Sequence, residues 1–321
     1  MDLVEKIEPI IIFFAIVLGL MFSNVSIIAL NTGNLITLFL CLMLFGLFLE
    51  IPLNELKNSF KNVKFSITSL IINFIWTPLF GYFLGTLFLK GNVDILVGFF
   101  MLILTPCTDW YLVFTKLAKG DLTLSLSILP INLILQIVLL PIYLIIFFSN
   151  GISLDYNQLA YSLLIVIIIP FIASQIVRAF LKNDLKDKVI NSFSNLQIWF
   201  LSLAVFCIFA SQGELLFSNL NSIIKIFIPL ILFFIANAII DLLLSEKINF
   251  TYPEYASLTM TTLARNSPLA LAIAINSFPG HELIAMALVI GPLIELPILY
   301  IVSRFCLWIK NSRLFFVCGN F

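Results

Sequence analysis

The hydrophobic residues of this chain neither alternate nor recur at a helical spacing. They run on in long blocks separated by short polar knots. A helix that is apolar on every side belongs in a core or a membrane, and crossing a ~30 Å hydrocarbon layer takes about 20 such residues. Ten blocks qualify, at 9–30, 35–51, 65–89, 95–117, 122–148, 159–180, 189–210, 223–244, 255–275 and 283–309. The pattern therefore predicts an all-α membrane protein of ten transmembrane helices.

Composition agrees, with 61% hydrophobic and 11% charged residues against roughly 25% charged in soluble domains. Asp2, Glu5 and Glu8 precede the first block, where a secretory signal would be positively charged. Orientation follows from lysine and arginine, which favour the cytoplasmic side. With the N-terminus inside, cytoplasmic segments hold Lys6, Lys57, Lys61, Lys64, Lys116, Lys119, Arg178, Lys182, Lys186, Lys188, Lys247, Arg304, Lys310 and Arg313, whereas outer segments hold Lys90 and Lys225. This imbalance predicts an integral, multi-pass protein of the cell (plasma or inner) membrane with both termini cytoplasmic. The five cysteines show no Cys-x-x-Cys spacing, and one histidine excludes a His-based zinc site. No metal, cofactor or nucleic-acid partner is expected; the lipid bilayer is.

Five spans per half is an odd number, so two such halves must lie in opposite orientations, the inverted-repeat plan of many secondary transporters. Asn34 and Leu35 recur as Asn195 and Leu196; at the same offset Phe39, Leu40, Leu42, Phe45 and Phe48 meet Phe200, Leu201, Leu203, Phe206 and Phe209, and Pro9 meets Pro170. Residues 1–152 form the first repeat and 153–321 the second, divided at the turn 149–153. Pro106 and Pro268 occupy spans four and nine. Proline in a membrane helix removes a donor and clashes with the preceding turn, and the freed backbone is tolerated only against protein or a water-filled cavity. Interrupted helices at corresponding places in two halves mark a transporter's binding site. Spans four and nine are thus expected to be broken and to cross there.

Charges at bilayer depth cost on the order of 3 kcal/mol and are functional candidates. Asp109 lies three residues beyond Pro106, and Arg265 three residues before Pro268. In oppositely directed spans both are displaced toward the cytoplasm by about 4–5 Å, so they share a depth if the breaks meet. The pair could carry a coupling proton or merely orient the two helices. Asp241, with Asn237 one turn before it, is expected near the hydrated end of span eight. Glu295, between Pro292 and Pro297, should face protein, and Asn73, Asn132 and Gln136 are supporting polar residues expected to bridge helices by hydrogen bonds.

Several motifs carry a resemblance. Thr105-Pro-Cys-Thr108, Leu117-Ala-Lys-Gly-Asp121 and Gly291-Pro-Leu-Ile-Glu-Leu-Pro297 resemble the bile acid:sodium symporter superfamily, particularly its arsenical-resistance (arsenite exporter) branch. Phe45-Gly-Leu-Phe-Leu49 and Pro78-Leu-Phe-Gly81 look like the symporter side. The resemblance implies a panel of spans 1, 2, 6 and 7, a core of spans 3–5 and 8–10, and unwound spans four and nine crossing at the site. It implies a role in transport for Cys107, and thiolate is a suitable ligand for a soft ion. The exporter branch carries an acid where this chain has Pro268. The symporter branch carries a sodium-binding acid and amide where this chain has Thr261 and Arg265.

The expected function is secondary active transport, with arsenite (antimonite) efflux by alternating access first and symport of a small organic anion as the alternative. The substrate is a small molecule or oxyanion, and the coupling ion a proton rather than sodium. The substrate site is placed at Pro106, Cys107, Thr108, Asn266, Ser267 and Pro268. A channel would want rings of polar residues along several spans. An intramembrane protease using Asp109 and Asp241 would lack its usual Gly-x-Gly-Asp context, so no enzyme is expected.

Overall fold

The computed structural model describes residues 3–23, 26–50, 62–108, 110–148, 156–181 and 183–311. Helices joined by short turns make up these residues, and the one β-type pairing among them is an isolated antiparallel bridge between Pro106 and Arg265. In order the helices are α1 (Leu3–Phe22), α2 (Ser26–Glu50), α3 (Val63–Ile71), α4 (Thr77–Phe88), α5 (Val93–Leu104), α6 (Trp110–Leu117), α7 (Leu122–Phe148), α8 (Tyr156–Leu163), α9 (Ile169–Phe180), α10 (Asn183–Ser218), α11 (Leu220–Ile224), α12 (Phe227–Ile248), α13 (Tyr252–Leu263), α14 (Ser267–Ser277) and α15 (Glu282–Asn311). The predicted half-chain turn at 149–153 lies outside the described residues, as does Asp109.

The polar knots work as caps, supplying acceptors to the orphan donors of a first turn. Asn62 Oδ1 accepts from Phe65 N–H at 3.1 Å and Asn92 Oδ1 from Ile95 N–H at 3.2 Å. Asp121 Oδ1 accepts from Thr123 and Leu124, and Thr251 with Glu254 forms a capping box. One knot misleads. Asn31-Thr-Gly-Asn34 reads as a turn, yet it lies inside α2, which starts at Ser26 rather than near residue 35. The chain turns earlier, where the hydroxyl of Ser23 donates to Leu20 O at 2.7 Å. Turn propensity at Asn31–Asn34 yields to packing, because Thr32 is buried.

Two helices continue through π-helical turns, Ile72–Trp76 and Leu164–Ile168, each followed by a proline at the next helix start, Pro78 and Pro170. The wider turn accommodates the ring and the missing donor. Pro78 leaves the carbonyl of Phe74 unserved, and the hydroxyl of Tyr143 donates to it.

Six described segments are long and apolar enough to cross a membrane: Val63–Phe88, Leu122–Phe148, Ala160–Phe180, Lys188–Ser211, Phe227–Ile248 and Glu282–Asn311; Ile10–Phe22, Leu35–Glu50, Val93–Leu104 and Ser267–Ser277 are shorter apolar helices. Their outer faces suit lipid. Ile67, Ile71, Ile75, Leu79, Phe83 and Leu87, four residues apart, form an exposed apolar stripe along Val63–Phe88.

Helices α1, α2, α9 and α10 pack on one another, and α3–α7 pack with α12–α15. Close backbone approach is built with small residues. A Cβ on Gly98 of α5 would sit 2.6 Å from Ala287 Cβ and 2.9 Å from Ile284 O of α15. The two groups meet where α2 touches α14 and α15 touches α1 and α10.

Candidate functional site at the crossing of two broken helices

α5 ends at Leu104 and α6 starts at Trp110; α13 ends at Leu263 and α14 starts at Ser267. The two gaps lie against each other, antiparallel, at Pro106 and Arg265. Pro106 removes the donor that Leu102 O would have received, and Thr105 Oγ1 lies 3.3 Å from that carbonyl. Asn266 N–H donates to Thr105 O at 2.6 Å, and Thr105 Oγ1 donates to Asn266 O at 3.0 Å. Asn266 also caps α14 through Leu269 N–H and donates from Nδ2 to Thr108 Oγ1 at 3.4 Å. Pro268 occupies the first turn of α14, a position that needs no donor. It therefore starts a helix, and the break lies at 264–266.

The offset of 161 residues separating Thr105 from Asn266 also relates Cys107 to Pro268, and the two behave differently. Cys107 N–H donates to Ala264 O at 2.9 Å. Pro268 has no N–H for Ile103 O, the carbonyl corresponding to Ala264 O. Arg265 fills that role, with Nη1 donating to Ile103 O at 2.9 Å. Arg265 Nη2 donates to Thr262 O, its guanidinium carbon lies 5.0 Å from the Phe233 ring centroid, and Nε has no partner among the described residues. Its backbone N–H donates to Glu295 Oε1 at 2.7 Å. Arg265 and Glu295 are 2% and 3% exposed, so both charges are held inside protein.

A cavity of about 290 Å³ opens beside the crossing. One wall is Cys107, Arg265 and Asn266 from the breaks, Ser267 and Pro268 from the start of α14, Trp110, Leu112 and Val113 from α6, and Pro292, Glu295 and Leu296 from α15. The other is Ile12, Met43, Leu47, Glu50, Gln197, Ile198 and Leu201, from α1, α2 and α10. Gln197 Nε2 donates to Glu50 Oε1 at 2.7 Å across that second wall. Cys107 is a thiol rather than half of a disulfide, as are Cys41, Cys207 and Cys306.

The expected residues are thus partly gathered. Cys107, Asn266, Ser267, Pro268, Arg265 and Glu295 face the cavity. Pro106 and Thr108 do not line it; they hold the crossing from behind, through the bridge to Arg265 and the bond from Asn266. Of the expected Asp109–Arg265 pair only Arg265 is described; its Nη1 and Nη2 donate to carbonyls and its backbone N–H to Glu295. Asn73, Asn132 and Gln136 are fully buried away from the cavity, and their side-chain amides make no bridging hydrogen bonds among the described residues. Helix faces, which sequence alone does not fix, turned them inward. Gln197 and Glu50 were missed, although a polar residue within an apolar block, the signal that singled out Gln136, was there for Gln197.

Asp241 departs most from expectation. It is completely buried, not hydrated; Thr262 Oγ1 donates to its Oδ2 at 2.6 Å, and Trp76 Nε1 donates to nearby Asn237 Oδ1 at 2.8 Å. The single histidine, His281, has Nδ1 2.8 Å from Asp94 Oδ1.

Comparison with known proteins fits a fold of apolar helices around a broken crossing. The model of the sodium bile acid symporter family matches residues 37–219. The chain belongs to that family. It is similar to an arsenical-resistance protein, Acr3, of Corynebacterium glutamicum, 25% identical over 92% of this chain and 85% of the relative. The Acr3 of Alkaliphilus metalliredigens is 25% identical over 82% of this chain and 78% of its own length. An uncharacterized sodium-dependent transporter of Bacillus subtilis, YocS, is 25% identical over 87% and 86%. The sodium bile acid symporter family and its arsenical-resistance relatives are transporters, not enzymes, and this chain is a membrane transporter of that family.

Proposed function

We propose that this member of the sodium bile acid symporter family exports arsenite by alternating access, with Cys107 as the cargo's soft ligand. The observation that carries the reading is a thiol at a helix break, facing a small cavity between two helical groups. Trivalent arsenic is soft and thiolate is a soft ligand. One sulfur gives a contact weak enough for a carrier to release. At about 290 Å³ the cavity stands at the lower edge of the roughly 300–1,000 Å³ range of small-molecule sites, which suits a small cargo. Glu50, Glu295 and Arg265 line it together; with two acids to one base among the described residues, it is better matched to arsenous acid, uncharged at neutral pH, than to an organic anion. The names of the two Acr3 relatives point the same way.

The architecture that goes with this function is ten spans in two inverted five-helix repeats, 1–152 and 153–321, with N- and C-termini cytoplasmic. Spans 1, 2, 6 and 7 form the panel and the other six the core. Support comes from contacts between positions 161 apart. Trp76 bonds Asn237 and Thr105 bonds Asn266, each at that separation. A residue touching its own counterpart lies on a two-fold axis. The coupling ion in this reading is a proton, with Arg265 standing in place of a bound cation.

The second reading, sodium-driven symport of a small organic anion, draws on the sodium-dependent relative. Arsenite accumulation in cells expressing the protein separates them. Wild type should lower intracellular arsenite, and Cys107→Ser should abolish that protection while reaching the membrane at wild-type level. Equal protection by the serine variant would leave Cys107 a packing residue.

A further inference from the structure

One buried carboxylate takes no part in the cavity. Asp241 Oδ2 accepts from Thr262 Oγ1, while Oδ1 is buried without a hydrogen-bond partner among the described residues. A bare carboxylate oxygen away from water is costly, and a protonated acid is far less so. The Thr262 hydroxyl has one proton to give and three acceptors in reach: Asp241 Oδ2 at 2.6 Å, Leu258 O at 3.0 Å and Thr259 O at 3.3 Å. With Asp241 ionised, the hydroxyl must turn to the carboxylate and leave Leu258 O. With Asp241 protonated, the acid donates to the hydroxyl and the hydroxyl donates to Leu258 O. The direction of one hydroxyl thus reports one proton.

The charges around it argue the same way. Among the described residues the buried ionic side chains are Asp241, Glu295 and Arg265. One guanidinium cannot balance two carboxylates, and a single proton makes the set neutral. α12 packs on α13, α4 and α15. The titratable groups beside it are Tyr255 of α13, Cys306 of α15, whose thiol lies 3.7 Å from the Tyr255 hydroxyl, and Arg265 at the break, and of these only the guanidinium is charged at neutral pH. Glu295 of α15 meets the set through Arg265. Tyr82, the ionisable residue of α4, turns instead toward Phe100, Phe147 and Phe148.

We propose that Asp241 is a proton-binding site of the transport cycle, connected to the cargo cavity through Thr262 and Arg265. Thr262 lies in the last turn of α13, just before the break. Its hydroxyl meets Asp241 and its carbonyl accepts from Arg265 Nη2, so both ends of one residue join the two groups. Arg265 in turn holds Glu295 by its backbone N–H, and both line the cavity. Asp241 takes a proton from water on one side of the membrane and releases it on the other. Ionised Asp241 shares the charge of Arg265; protonated Asp241 leaves that charge to Glu295 and the cavity. Asp241 contacts no cargo and acts by positioning.

This inference rests on the transporter reading, and its test separates proton from cargo. Infrared spectroscopy of the purified full chain needs no cargo, because a protonated buried carboxyl absorbs apart from a carboxylate. A carboxyl band in wild type should fade as pH rises. It should fade at lower pH in Glu295→Gln, where Arg265 is left to Asp241 alone, vanish in Asp241→Asn and reappear with a shifted titration in Asp241→Glu. A wild type without a titrating carboxyl band, or a band that survives in Asp241→Asn, overturns the proposal. In inverted vesicles, an imposed pH gradient should accelerate arsenite uptake by wild type and Asp241→Glu but not by Asp241→Asn. Wild-type uptake indifferent to the gradient overturns the coupling role. A titrating Asp241 band in a protein that moves no arsenite sinks the cargo reading and leaves the proton site standing.

Discussion

Arg265 shows how one side chain can hold several elements together. It serves a carbonyl that Pro268 cannot, reaches back to Thr262, and stacks against Phe233. Its charge is also the buried counter-charge of Glu295 and Asp241. Removing one partner of a buried ionic set costs roughly 3–5 kcal/mol, because the remaining charge is left bare. Arg265→Ala should therefore lower the thermal unfolding midpoint of the purified protein sharply. Neutralising Glu295 as well should recover part of that loss, so that Arg265→Ala with Glu295→Gln is more stable than Arg265→Ala alone. Strict additivity of the two changes in the unfolding data would show that the charges do not communicate. Arg265 and Glu295, which line the cavity, were legible as candidates because a charge in an apolar block is conspicuous. The burial of Asp241 was not, since it depends on which face α12 turns to α13.

At the scale of elements, the prolines shape the helices in three ways. Pro106 breaks one, Pro268 starts one, and Pro78 follows a π-turn. The sequence marks each as a disturbance without saying which kind, because the outcome depends on who serves the freed carbonyl. For Phe74 O the answer is Tyr143, on α7. Tyr143→Phe should leave that carbonyl bare and cost roughly 1–3 kcal/mol, read as a lower unfolding midpoint; an unchanged midpoint would mean the π-turn needs no external donor. Small residues are equally specific. Gly98→Leu should prevent α5 from seating on α15, where even a Cβ would be 2.6 Å from Ala287 Cβ, and overpacking costs about 1–3 kcal/mol or more. Gly91→Ala, with nothing within 4 Å of the added carbon, should be silent in the same unfolding assay. The long apolar blocks made most helices readable. The α1–α2 turn was misplaced because turn residues at Asn31–Asn34 lie inside α2, where Thr32 is buried and the helix runs on.

At the scale of the whole molecule the open question is what drives transport. The family's symporter branch binds sodium with an acid and an amide on the second broken span; by resemblance, Thr261 and Arg265 stand at those positions. Thr261 offers no charge, and its hydroxyl already donates to Ser257 O at 2.7 Å. A guanidinium has five donors and no acceptor, so Arg265 would repel sodium and give it no oxygen. What it can give is the fixed positive charge that a bound sodium would have brought to the crossing, between the ends of two broken helices. Transport should then be independent of a sodium gradient. The opposing case is a sodium ion held elsewhere, by backbone carbonyls freed at the first break, as the similarity to a sodium-dependent relative would suggest. Uptake into vesicles with and without an imposed sodium gradient, at fixed pH and membrane potential, distinguishes them. Equal rates are expected. Clear stimulation by sodium would mean that Arg265 is a structural tie and no substitute for a cation.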